Sequence, residues 1–129
     1  DPTNRRHVEI KEGIELGNSL PDITSNEEAA ESMRRAGFLD VTCEDLALDT
    51  QVPWYEPFQP KYTLKGFKTT PIGIKLTNLA VRTMEAIRLA PPGTAEMHSN
   101  LVVGGVTLYH SGMEGIFTPM LLLCGRKPL

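Results

Sequence analysis

Two groups of residues in this chain have the types and spacing to do chemistry. The first is the carboxylate series Glu9, Glu12 and Glu15, any of which could bring a general acid or base to a pocket. The second is aromatic: Trp54, Tyr55, Phe58 and Tyr62 crowd into a short stretch with Pro53, Pro57 and Pro60. An aromatic face can wall an apolar ligand. Prolines reduce the entropy lost when such a loop is ordered. The loop reads as a lid or ligand wall, with the even alternative that Trp54 and Phe58 plug the edge of a core. For the carboxylates the plainer alternative is a solvated helix face.

Other chemistries find little support. His7, His98 and His110 have no nucleophile at a recognisable spacing and read as surface or partly satisfied histidines. No GxSxG, P-loop, GxGxxG or HExxH motif occurs. Cys43 and Cys124 form neither a CxxC pair nor a Cys/His cluster, so no metal site is expected. Their strand-like apolar surroundings read as buried, reduced thiols. The net charge of -3 builds no basic face for nucleic acid. No signal peptide or membrane-length apolar run is visible, which sets a cytosol-facing location as the expectation. The 129 residues suit one α+β domain, residues 1–129, with 40% hydrophobic and 22% charged residues. A first residue other than Met reads as a fragment or a processed product.

The elements that must position these residues follow from periodicity and caps. Ile10, Ile14 and the glutamates favour a helix from His7 to Leu16, weakened at Gly13 and ended by Gly17-Asn18. Thr24 or Ser25 caps a second helix, about Asn26 to Ala36, with acidic residues first and arginines last. Phe38 to Leu46 alternates as a strand. Thr70-Pro71 opens what should be the longest helix, closing at Ala90-Pro91-Pro92-Gly93, with a broad apolar face that includes Ile72, Leu76 and Leu79. Local chemistry makes Leu101 to Tyr109 a hairpin turning at Gly104-Gly105, against a glycine-weakened helix capped by Thr94. Met120 to Cys124 is the longest unbroken apolar run, the pattern of a strand buried on both faces.

Five segments together resemble the sterol 24-C-methyltransferases. They are Ile14 to Ile23, with Leu20-Pro21-Asp22; Ala36-Gly37-Phe38 followed by Glu44-Asp45-Leu46-Ala47; Pro53-Trp54-Tyr55-Glu56-Pro57; Leu89-Ala90-Pro91-Pro92-Gly93; and Ile116-Phe117-Thr118-Pro119-Met120 with Arg126-Lys127-Pro128. Each is weak alone, but their order and spacing agree over nearly the whole chain. Two departures stand out. The family's Gly-Asp-Gly is Gly17-Asn18-Ser19 here, and an Ala-Ala pair is Gly104-Gly105.

The resemblance implies the C-terminal, substrate-side portion of an enzyme that methylates C24 of a sterol side chain with S-adenosyl-L-methionine. It implies helices packed on the last two, antiparallel strands of a Rossmann-like sheet, and a helix from Thr94 to about Tyr109 rather than the hairpin. The S-adenosyl-L-methionine loop of that family lies upstream, so this chain alone is expected neither to bind the cofactor nor to turn over. Glu15 becomes the candidate catalytic carboxylate. Trp54 and Tyr55 become candidate sterol wall or cation stabilisers, with Phe58 and Met120 as further wall. The expected partners are the sterol and, along the Ile116–Cys124 strand edge, the upstream part, another protein chain or a second copy. The sterol suggests work at an endoplasmic-reticulum surface. The rival reading is a non-catalytic lipid-binding or protein-interaction module, a subunit of a larger assembly, derived from the family.

Overall fold

The computed structural model describes residues 1–48, 50–60 and 67–128, without the side chain of Lys68. Tyr62, the last aromatic of the connector, lies outside the described residues.

Among the described residues four α-helices and two strands form, and side chains satisfy backbone groups left over at several helix N-termini. Helix α1 (Arg5–Asn18) begins with Asn4 accepting from the Arg6 N–H at 3.0 Å. It closes at Ser19, whose φ of 52° turns the chain so that Leu20 N–H reaches the Glu15 carbonyl. Helix α2 (Asn26–Arg35) is capped by Ser25, which accepts from Glu28 N–H at 3.1 Å. Gly37, at φ 93°, then supplies the turn into strand β1 (Leu39–Asp45). Thr70 accepts from Gly73 N–H at 3.1 Å and Pro71 opens helix α3 (Pro71–Ala86). Helix α4 (Thr94–Glu114) runs 21 residues to Gly115. Strand β2 (Leu121–Arg126) pairs antiparallel with β1, Cys43 opposite Leu123 and Asp45 opposite Leu121. The pairing is irregular between Leu39 and Thr42, where Asp40 takes φ 52° and accepts from Arg126 Nε at 2.8 Å.

Packing divides the molecule into two parts. α1 and α4 cross so closely that a Cβ on Gly17 would sit 2.2 Å from Gly104 Cα and 2.8 Å from the Asn100 carbonyl oxygen. Gly13 makes a similar notch for Thr107 of α4. Asn18 donates from Nδ2 to the Ile14 carbonyl at 2.9 Å, a bond an aspartate could not donate. Helix α3 packs on α4, and Glu85 ties the two together by accepting from Gly93 and Ala95 N–H at 2.9 and 2.8 Å. These two bonds, Gly93 first, hold its carboxyl below the usual range. α2 is the helix that lies along the sheet, with Met33 and Phe38 seated over Gly125.

The architecture is α+β, and four expectations from the residue pattern need correcting. The longest helix is α4, not α3, which stops at Ala86. The hairpin that local chemistry prefers at Gly104-Gly105 is helix, as the resemblance implies. β2 is not buried on both faces: Leu122 and Cys124 are exposed, because a two-stranded sheet covered by one helix leaves a face open. Both cysteines are exposed: Cys124 stands on that open face beside Leu122, while Cys43 lies on the other face, opposite Leu123. The apolar face of α3 also points outward, with Ile72, Leu76 and Leu79 in solvent.

Candidate functional site

The aromatic loop is ordered by its own short bonds. Glu56 N–H donates to the Pro53 carbonyl at 2.9 Å and Phe58 N–H to the Tyr55 carbonyl at 3.1 Å, forming one 3-10 turn over Glu56–Phe58. That turn presents Trp54 and Tyr55 toward the end of α4. Tyr55 lies in a notch left by Gly112, where a Cβ would come within 2.2 Å of its ring. Trp54 meets Tyr55 edge-on at 5.6 Å and Phe117 at 5.8 Å, and Tyr55 meets Tyr109 at 6.2 Å. These are the offset, edge-to-face contacts that aromatic quadrupoles favour.

The cluster walls a cavity of about 710 Å³. Its other walls are the approach to α2 and its first turn (Ile23 to Glu27, with Ala29), Asp45 at the end of β1 with Ala47 just beyond it, and the turn after α4 (Gly115 to Thr118). A second hollow of about 620 Å³ shares Ile23, Thr24, Ser25, Ile116 and Phe117 with it and continues along α1 past Ile10 and Ile14. Asp45 brings a carboxylate to the first cavity. Its Oδ1 accepts from Thr118 Oγ1 at 2.6 Å and from Ala47 N–H at 2.9 Å, which fixes the side chain at the end of β1. The arrangement can enclose an apolar ligand between aromatic faces, with one anchored carboxylate alongside.

Of the residues singled out from the sequence, Trp54 and Tyr55 are brought together in this cavity. Glu15 is not among its walls. Its carboxylate takes Lys11 Nζ at 2.8 Å and Ile23 N–H at 2.7 Å, clasping α1 to the connector before α2. The Lys11 bond first, then the Ile23 N–H, hold the Glu15 carboxyl below its usual value. Lys11 also pairs with Asp22, and these bonds push its ammonium pKa up to about 12. Phe58 packs over Gly105 on α4. Met120 is exposed, and its carbonyl accepts from Leu46 N–H. Asp45 and Phe117 were missed as site residues, although both lie in segments that carry the family resemblance. His7 and His110 flank Glu114, which Arg6 Nε contacts at 2.7 Å, away from the aromatic cavity's walls. Among the described residues no group of three or more His, Cys, Asp or Glu side chains is placed to hold a metal ion.

The comparisons with known proteins agree on one family. The sterol methyltransferase C-terminal model matches residues 64–129. Cycloartenol-C-24-methyltransferase 1 of Oryza sativa subsp. japonica is 38% identical over 100% of this chain and 38% of its own length. Cycloartenol-C-24-methyltransferase of Arabidopsis thaliana is 39% identical over 99% of this chain and 38% of its own. Sterol 24-C-methyltransferase of Candida albicans is 36% identical over 100% and 37% respectively. The chain thus spans well under half the length of these relatives. No solved structure matches it significantly. With the family model covering half of the chain and the resemblance extending over the rest, this chain belongs to the sterol methyltransferase C-terminal family.

Proposed function

We propose that this chain is the substrate-side portion of a sterol 24-C-methyltransferase, the C-terminal part of a Rossmann-like methyltransferase fold, and that its aromatic cavity receives the sterol side chain. The observation that carries the reading is one cavity that joins Trp54, Tyr55 and Phe117 to the anchored carboxylate of Asp45. The relatives' names specify methylation at C24 of a sterol or of cycloartenol. Methylating a side-chain alkene leaves positive charge on carbon in an apolar setting. Aromatic faces stabilise such charge, more strongly where water is excluded. Phe117 and Ile116 line both this cavity and the second hollow and would present apolar surface to the cation. Asp45 then takes the proton as the C–H electron pair closes the new double bond. Glu15, engaged with Lys11 and Ile23, orders the connector that forms the opposite wall.

The family implies S-adenosyl-L-methionine as methyl donor. The described residues do not fit it: β1 opens into the connector that carries the aromatic cluster, not into a glycine-rich turn and a helix N-terminus. What these residues supply is the sterol side of the reaction. The edge of β2 that is unpaired among the described residues is where the upstream part of such an enzyme would pair.

Steady-state kinetics of the full-length protein test the assignment. Asp45→Asn should lower kcat about 10²–10⁴-fold, the range of a lost general base, with KM for a C24-unsaturated sterol nearly unchanged. Trp54→Leu should also lower kcat more than it raises KM, because the cation exists only late in the reaction. Full turnover by Asp45→Asn, or equal effects of Trp54→Leu on both constants, would remove the catalytic roles.

A further inference from the structure

Helix α3 carries apolar residues on the side that no part of the described chain covers. Ile72, Leu76, Leu79 and Ile87 recur at helical spacing on one face. They are 68%, 58%, 63% and 66% exposed. The opposite face, with Gly73, Thr77 and Val81, is the one turned inward. Leu89, just past the helix, is also exposed.

The exposed charges along α3 and at its C-terminal end have one sign. Lys75 and Arg82, seven residues apart, run along one flank of the stripe, and Arg88 stands at the C-terminal end. All three are exposed, and none forms an ion pair among the described residues. The helix's own carboxylate, Glu85, is turned away to the N-terminus of α4, where Gly93 and Ala95 N–H hold it. This positive strip sits on a chain whose net charge is -3. An exposed apolar stripe with cations along its border fits a surface that is apolar within and anionic at its rim.

We propose that the outer face of α3 docks a bilayer carrying anionic phospholipids, lying in the plane of the headgroups with Ile72, Leu76, Leu79 and Ile87 inserted. The 16-residue helix is about 24 Å long. No helix among the described residues is long and apolar enough to cross a membrane, so the contact is interfacial. Charge argues against a second copy as the occupant: pairing two α3 faces would gather six like charges at one seam with no carboxylate between them. The proposal stands on exposure and charge alone and is independent of the sterol reading.

Vesicle co-sedimentation of the full-length protein tests it, with phosphatidylcholine vesicles against vesicles in which about a third of the lipid is phosphatidylserine. Binding should favour the anionic vesicles and fall as salt rises. The double substitution Lys75→Gln with Arg82→Gln should weaken partitioning about 25-fold, about fivefold for each cation. Leu76→Glu with Leu79→Glu should abolish binding and leave circular dichroism, thermal midpoint and sedimentation coefficient unchanged. Equal binding to neutral vesicles, or none to either, overturns the proposal. So does a large loss of thermal stability or a change of oligomeric state in Leu76→Glu with Leu79→Glu, which would place another protein segment or a second copy on this face. Sterol turnover in detergent should survive both double substitutions, so loss of vesicle binding and failure of the sterol assignment are read separately.

Discussion

Replacing Gly112 by alanine should deform the aromatic wall while barely altering helix α4. A Cβ there would lie 2.2, 2.4 and 2.7 Å from Cδ1, Cγ and Cβ of Tyr55. Carbon atoms pack best about 3.5–4.0 Å apart, so the ring must retreat by about 1.5 Å. It cannot retreat without disturbing its edge contacts with Trp54 and Tyr109. Overpacking of this kind costs about 1–3 kcal/mol, while removing a glycine from a helix returns about 1 kcal/mol. The net loss should be about 0–2 kcal/mol. Gly105→Ala is the matched control on the same helix: its Cβ would meet Phe58 Cδ1 at 3.7 Å, an ordinary contact, so it should gain up to about 1 kcal/mol. Urea unfolding of both variants gives the stability difference, and emission of Trp54, the only tryptophan in the chain, reports the wall. If Gly112→Ala is as stable as Gly105→Ala and leaves Trp54 emission unchanged, the notch does not hold Tyr55 and the cavity geometry argued above is wrong.

Gly17→Ala should cost more than Gly112→Ala, at the upper end of about 1–3 kcal/mol, because its Cβ meets the backbone of Gly104 and Asn100, which no rotamer change can move. A denaturation midpoint equal to that of the wild type would refute the close crossing. Glu15 has a folded pKa held below its ordinary value, so its clasp contributes stability above the unfolded carboxylate pKa and loses it as pH falls through the folded one. The thermal midpoint of wild type should therefore exceed that of Glu15→Gln at neutral pH, and the two should converge in acid. A gap that persists undiminished at low pH would show that the Glu15 charge is not the source.

Much of the secondary structure was legible because it is set locally. Ser25 with its acidic first turn, Thr70 before Pro71, and Gly37 after Arg35 each satisfy backbone groups within a few residues. Half of the candidate site was legible too, since Trp54 and Tyr55 are rare, adjacent and set among prolines. Asp45 was not, because a carboxylate at a strand end reads as solvated until Thr118, 73 residues away, donates to it.

The glycines mark the boundary most clearly. Read along the chain, Gly13, Gly17, Gly104 and Gly105 weaken helices or turn hairpins, since glycine loses the most entropy on ordering. In the fold three of them are absent side chains at a contact: Gly17 against Gly104, and Gly13 against Thr107. The value of a missing Cβ depends on what lies opposite it, which no local pattern encodes. Exposure follows the same logic. The apolar runs in β2 and α3 announced surfaces that avoid water, and that was determined by the sequence alone. Which surfaces cover them is decided by tertiary arrangement: α2 covers one face of a two-stranded sheet, and the outer stripe of α3 stays open among the described residues.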